Sequence, residues 1–142
     1  YWSVSLPKIY TMWQRIQTVF LSVAALAAVG FLFAPIAVEN NIAVYGKSNV
    51  IASGIAIAIG LLSLFIITQF QDRKLQLRFT LINIFIAIAL AVVAALGAMQ
   101  NNSTPRYEFA IGIPVLIIVA LLLAYRNIKK DEDLVKSMDR FR

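Results

Sequence analysis

Residues 48–71 read SNVIASGIAIAIGLLSLFIITQFQ, a run without a single Asp, Glu, Lys or Arg. A helix rises about 1.5 Å per residue, so such a run exceeds the roughly 20 residues that carry a helix across a bilayer's hydrocarbon layer. Three further runs are also free of charge: Ile16 to Val38 and Phe79 to Pro105, which exceed that length too, and Phe109 to Tyr125, which at 17 residues sits at its lower edge. No water in the bilayer core can satisfy a loose backbone N–H or C=O, so all four are expected to be helices. The expected spans lie near 16–37, 49–70, 79–99 and 108–126. The links around 37–48, 71–78 and 100–108 are short, which makes consecutive helices antiparallel neighbours. The fold class is therefore all-α, an integral membrane four-helix bundle threaded up-down-up-down.

Composition agrees. Of 142 residues, 61% are hydrophobic and 14% charged, with mean hydropathy +0.80. A soluble domain of this size carries about 45–50% apolar and about 25% charged residues. The chain has no histidine and no cysteine. That excludes disulfides, thiolate nucleophiles, Cys/His zinc sites, and haem or iron–sulfur centres on those ligands. No cofactor or metal is expected. The first run is too long for a signal-peptide core and continues through Phe31, Phe33 and Pro35 without a cleavage motif.

Charge sets the expected orientation. Lys8 and Arg15 precede the first span, Arg73, Lys74 and Arg78 fall between the second and third, and Arg126, Lys129, Lys130, Lys136, Arg140 and Arg142 follow the fourth. Only Lys47 and Arg106 occupy the other two links. By the positive-inside rule both termini are cytoplasmic. The net charge of +6 is then a topology signal that also attracts anionic lipid, and it does not point to nucleic acid.

Apart from the terminal flanks, no charged side chain lies within a span. Ion- and proton-coupled transporters place one there, facing a cavity. Glu39 and Glu108 sit at the outer ends, where they stay hydrated, and no HExxH, Ser–His pair or buried Asp pair marks a protease. Uncharged polar residues cluster instead towards the cytoplasmic ends: Gln17, Thr18 and Ser22 in the first helix, Thr68 and Gln69 in the second, Thr80 and Asn83 in the third. Thr68, Thr80 and Asn83 are the expected polar cluster, acting as interhelical glue or as a small polar vestibule. Small residues recur every fourth position, as Ala52, Ala56 and Gly60 and as Ala87, Ala91 and Ala95, and such stripes let membrane helices approach closely. Pro114 is expected to bend the fourth helix.

Beyond Arg126 the tail reads NIKKDEDLVKSMDRFR, with Leu134, Met138 and Phe141 at i, i+4 and i+7. It is expected to form an amphipathic helix, with Asp131 and Asp133 favouring its N-terminus and Glu132 pairing with Lys136. Basic residues favour a resting place on lipid, and the four acids favour docking on protein. The domain reading is an interfacial extension over 1–11, a spanning bundle over 12–126 and a cytoplasmic tail over 127–142. Met12 is the expected natural start.

From Met12 the chain reads MWQRIQTVFL. Together with the closing NIKKDEDLVKSMDRFR, this resembles a domain-of-unknown-function family of small four-span inner-membrane proteins of Gram-negative bacteria. The family's Met-x-Gln-Arg-Ile-Gln-Thr start corresponds to Met12 to Thr18. Its basic-acidic tail, ending Asp-Arg-x-Arg, corresponds to Ile128 to Arg142, so the likeness covers residues 12–142 and leaves out 1–11. It implies a bacterial inner membrane and no particular activity.

The function expected from these features is a non-catalytic accessory or structural subunit of a larger inner-membrane complex, whose partners are other membrane subunits and the bilayer. Gln14, Arg15 and Gln17 at one end of the chain, with Asp139, Arg140 and Arg142 at the other, are expected to meet as a cytoplasmic contact surface. The alternative is a small carrier or channel for an uncharged or lipidic solute, built as a homo-oligomer.

Overall fold

The computed structural model describes residues 8–39, 42–69, 71–100 and 108–140. Four helices dominate: α1 over Lys8–Phe33, α2 over Val50–Thr68, α3 over Arg73–Gln100 and α4 over Glu108–Arg140. All four are long and apolar enough to cross a membrane. Packing runs α1 on α2, α2 on α3, α3 on α4, and α4 back on α1, which closes an antiparallel ring. The expected all-α bundle is present.

Each helix buries one face, in which small and polar residues alternate with large apolar ones, and leaves its other large aliphatics outward. Leu21, Ala24, Ala28 and Phe31 of α1 are buried against Ala52, Ala56 and Ile59 of α2, Ala87 and Leu90 of α3, and Ile117, Leu121 and Ala124 of α4. Leu26, Leu61, Phe85 and Leu116 are all more than half exposed. In water so broad an apolar surface would drive aggregation, whereas lipid tails cover it at no cost.

Four boundaries differ from the hydropathy reading, the first being the start of α1 at Lys8 and not at 16, so that residues 8–11 of the expected extension belong to the helix. The first helix stops at Phe33 instead of 37, because Pro35 has no N–H to continue the ladder and disfavours helical backbone at Ala34. The chain then forms a small antiparallel hairpin, β1 over Pro35–Glu39 and β2 over Ile42–Tyr45, with Val38 opposite Ala43 and a bulge between Pro35 and Ala37. Its first strand lies against α3 and α4. A 3-10 turn at Gly46–Ser48 leads on into α2, whose first turn is capped by Asn49 Oδ1 accepting from the Ile51 and Ala52 amides.

At the opposite end, which holds the α2–α3 turn and the start of α1, charge does not stop the helices. The expected third span begins at 79, but α3 begins at Arg73; the fourth is expected to end at 126, but α4 runs on to Arg140. Lys and Arg are good helix formers, so basic residues end the hydrocarbon-compatible stretch without ending the helix. At about 1.5 Å per residue α4 is roughly 50 Å long, well beyond the hydrocarbon thickness. The tail is thus no separate amphipathic helix, and Asp131 and Asp133 lie within α4 and not at a helix N-terminus. The helix also continues through Pro114, which is fully buried. Residues 1–7 of the expected extension, and residues 141–142, lie outside the described residues.

Candidate functional site: a polar column and a braced terminal helix

α3 supplies the column. Gln76, Thr80 and Asn83 fall at i, i+4 and i+7, so one face of the helix carries all three, and all three are buried. Gln76 Nε2 donates to the Ile66 carbonyl at 3.2 Å, tying α3 to the last turns of α2. Thr80 Oγ1 donates back to the Gln76 carbonyl at 2.7 Å. Asn83 Nδ2 reaches across to Ser63 Oγ of α2 at 2.8 Å. Gln17 on α1 and Asp131 on α4 are buried polar residues as well.

Asp131 has a charged partner. Arg73 Nε lies 3.4 Å from its Oδ2, with the Asp131 side chain 5% and the Arg73 side chain 25% exposed. Ile128, one turn earlier, is fully buried. The first turns beyond the expected membrane boundary are therefore anchored on the bundle itself, by an apolar contact and an ion pair. Past that anchor the helix overhangs. Glu132, Val135, Lys136 and Asp139 face Gln71, Asp72, Arg73 and Lys74 across an open cleft. The expected Glu132–Lys136 pair is present at 3.3 Å. Leu134 and Met138 are 48% and 56% exposed.

The expected site residues divide accordingly. Thr80 and Asn83 join the column, but Thr68 does not; it is exposed and donates to the Phe65 carbonyl of its own helix. Gln17 is inside the bundle and not on a contact surface. Arg15, Asp139 and Arg140 are exposed, and Arg15 and Asp139 form no ion pair with each other. The Gln14 side chain and Arg142 lie outside the described residues. Ala52, Ala56 and Gly60 are all buried, and a Cβ at Gly60 would stand 4.0 Å from Ala28 Cβ, so this stripe serves α1–α2 packing. Ala87 is buried, but Ala91 and Ala95 are only half-buried. Four-residue steps drift about 40° each around a helix of 3.6 residues per turn, and the inward face of α3 runs instead through Ala87, Leu90 and Ala94.

Sequence reasoning missed three participants. Ser63 hid among aliphatics, though it continues the inward series Ala52, Ala56, Ile59. Gln76 and Asp131 hid among charges. Asp131 extends the inward series Ile117, Leu121, Ala124, Ile128 of α4, a signal that was available. Among the described residues, no three His, Cys, Asp or Glu side chains are grouped as a metal site.

The two terminal segments that distinguish the sequence thus lie at one end of the bundle, on neighbouring helices. A family profile, that of a domain of unknown function named DUF4293, matches residues 13–141. The chain belongs to the DUF4293 family. The match takes in α1 from Trp13 onward and every later element of the DUF4293 bundle, to the last turn of α4. No curated protein and no solved structure matches the chain.

Proposed function

We propose that this DUF4293 chain is a non-catalytic accessory subunit of a larger bacterial inner-membrane complex, with its basic end in the cytoplasm. The concentration of Lys and Arg at that end supports the orientation. The lack of charged side chains along the apolar runs supports a packing role over coupled transport. The observation that carries the proposal is the overhang of α4. A helix continuous with a membrane span stands away from the bilayer, so it cannot also lie along the headgroups. Leu134, half exposed on that overhang, is then left for a protein to cover, and the mixed charge around it suits a protein surface better than an anionic lipid one.

The test is purification of the full chain, tagged after Arg142, from native membranes in mild detergent. A stoichiometric larger complex is expected. The substitution Leu134→Glu should release the chain from it while shifting its own unfolding free energy by no more than about 0.5 kcal/mol, as for other exposed positions. Recovery of the unaltered chain only as a 15.7 kDa particle or its homo-oligomer would overturn the proposal. That result would favour a small oligomeric carrier or channel for an uncharged or lipidic solute.

A further inference from the structure

Two buried carboxamides are incomplete. Gln17 on α1 is 5% exposed and its Nε2 has no acceptor; Asn83 on α3 is fully buried and its Oδ1 has no donor. Buried polar atoms without partners are rare in folded proteins. Ordered water is the ordinary remedy, since immobilising one molecule costs less than leaving an amide dry.

Both carboxamides lie in the half of the bundle that ends at the Arg73–Asp131 ion pair. The ion pair Arg73–Asp131 marks the basic end of the column, and Arg73 is a quarter exposed there. Three contacts fix the antiparallel register: Gly60 against Ala28, Asn83 on Ser63, and Arg73 on Asp131. Counting about 1.5 Å per residue from them, Gln17 falls within one turn of the level of Gln76 and Asp131, and Asn83 stands roughly 10 Å deeper than Gln76. Thr80, between them on the same face, donates its proton to the Gln76 carbonyl and keeps its oxygen lone pairs. Beyond Asn83 the inward side chains are apolar throughout, as Ala87 and Leu90 of α3, Ile59 of α2, Ile117 of α4 and Phe31 of α1, whereas on its near side Gln17, Gln76, Thr80 and Asp131 stand among Leu21, Ile66, Ala124 and Ile128.

We infer that the basic half of the bundle holds internal water. One molecule accepts from Gln17 Nε2. A second donates to Asn83 Oδ1, with Thr80 Oγ1 as the acceptor available for its other hydrogen. Water enters from the Arg73–Asp131 end and stops at the Ala87–Leu90 level. The polar column is thus a hydrated half-passage, closed towards the hairpin end.

The test is water-edited solid-state NMR on the full chain, isotopically labelled and reconstituted in lipid bilayers. Magnetisation starting on water should reach the Gln17 and Asn83 side-chain amides several-fold faster than the Leu90 and Ile117 methyls. In Asn83→Leu, transfer to Thr80 should fall towards the Leu90 rate while transfer to Gln17 is retained. Asn83 signals that build up no faster than those of Leu90 would overturn the inference. So would contacts from the two amides to non-exchangeable protons that persist in D2O, because these would mark a co-purified hydroxylic molecule in place of water.

Discussion

Replacing Arg73 by alanine strands a carboxylate. Asp131 is the more deeply placed member of the pair, its side chain 5% exposed against 25% for Arg73. Exposed ion pairs contribute about 0.2–1 kcal/mol, whereas removing one member of a buried pair costs about 3–5 kcal/mol, mostly from the charge left behind. The two single substitutions therefore differ. Arg73→Ala leaves a buried anion without its cation and should cost about 3 kcal/mol, at the low end of the buried range because the pair is partly hydrated. Asp131→Ala leaves a long guanidinium already a quarter exposed, which can turn to water, and should cost about 1 kcal/mol, near the value for an exposed pair. In the double substitution nothing charged is stranded, so its cost should fall close to that of Asp131→Ala. Unfolding in mixed micelles of increasing SDS fraction, followed by far-UV ellipticity, gives the three free energies. The natural absence of cysteine allows a single spin label at Ser137→Cys to report the tail separately. Its mobility should rise in Arg73→Ala, because the ion pair holds the last turns of α4 against the start of α3. An Arg73→Ala cost equal to or below that of Asp131→Ala would refute the reasoning, and so would an unchanged label.

Three other outcomes rest on single contacts. A double-mutant cycle of Asn83→Ala and Ser63→Ala should give a coupling of about 0.6 kcal/mol, and no more than roughly 1.7, the range for hydrogen bonds between membrane helices; the same SDS titration reads it. Gly60→Ala should be tolerated, since its Cβ would meet Ala28 Cβ at an ordinary 4.0 Å, while Gly60→Leu should cost about 1–3 kcal/mol by overpacking the α1–α2 contact. Asn49→Ala should cost about 1 kcal/mol, because the amides of Ile51 and Ala52 lose their cap.

The positions of the spans are legible in the sequence because the bilayer imposes them: a charge-free run such as 48–71 has no other way to satisfy its backbone. Helix ends are not, because the absence of charge locates the hydrocarbon and not the hydrogen-bond ladder. Arg73, Lys74 and Arg78 interrupt the apolar run without interrupting α3, and Arg126 to Lys130 do the same in α4. The hairpin has a signal of its own. Two short stretches rich in β-branched residues, PIAV and IAVY, flank Glu39-Asn40-Asn41, and Asn-containing turns between such stretches mark a hairpin. Within the candidate site, Thr80 and Asn83 are identifiable as polar residues in an apolar run. Gln17 reads as a surface residue because its motif neighbours are polar, yet its position four residues before buried Leu21 puts it on the inward face of α1. Asp131 reads as part of a helix start that does not exist, and its partner Arg73 is 58 positions away in sequence, a pairing that only the packing of α4 on α3 makes.

The column also bears on how this bundle chooses its form. In water, burial of an apolar stripe decides which face of a helix turns inward. Between lipid tails that choice carries almost no energy, since a leucine facing lipid is as well placed as one facing another helix. α2 illustrates the difficulty, with aliphatic residues distributed around its whole circumference. Its rotation must be set by what lipid accommodates poorly or what allows close approach: Ser63 meeting Asn83, the Ile66 carbonyl meeting Gln76, and Ala52, Ala56 and Gly60 lying against α1. The same logic orients α3 through Gln76, Thr80 and Asn83, and α4 through Ile128 and Asp131. A handful of polar and small side chains therefore specifies the arrangement, while the large aliphatics supply membrane affinity without direction. Hence the polar residues of the basic half cannot be assigned to function or to folding alone: the groups that would hold water in the half-passage are the ones that hold the helices in register around it.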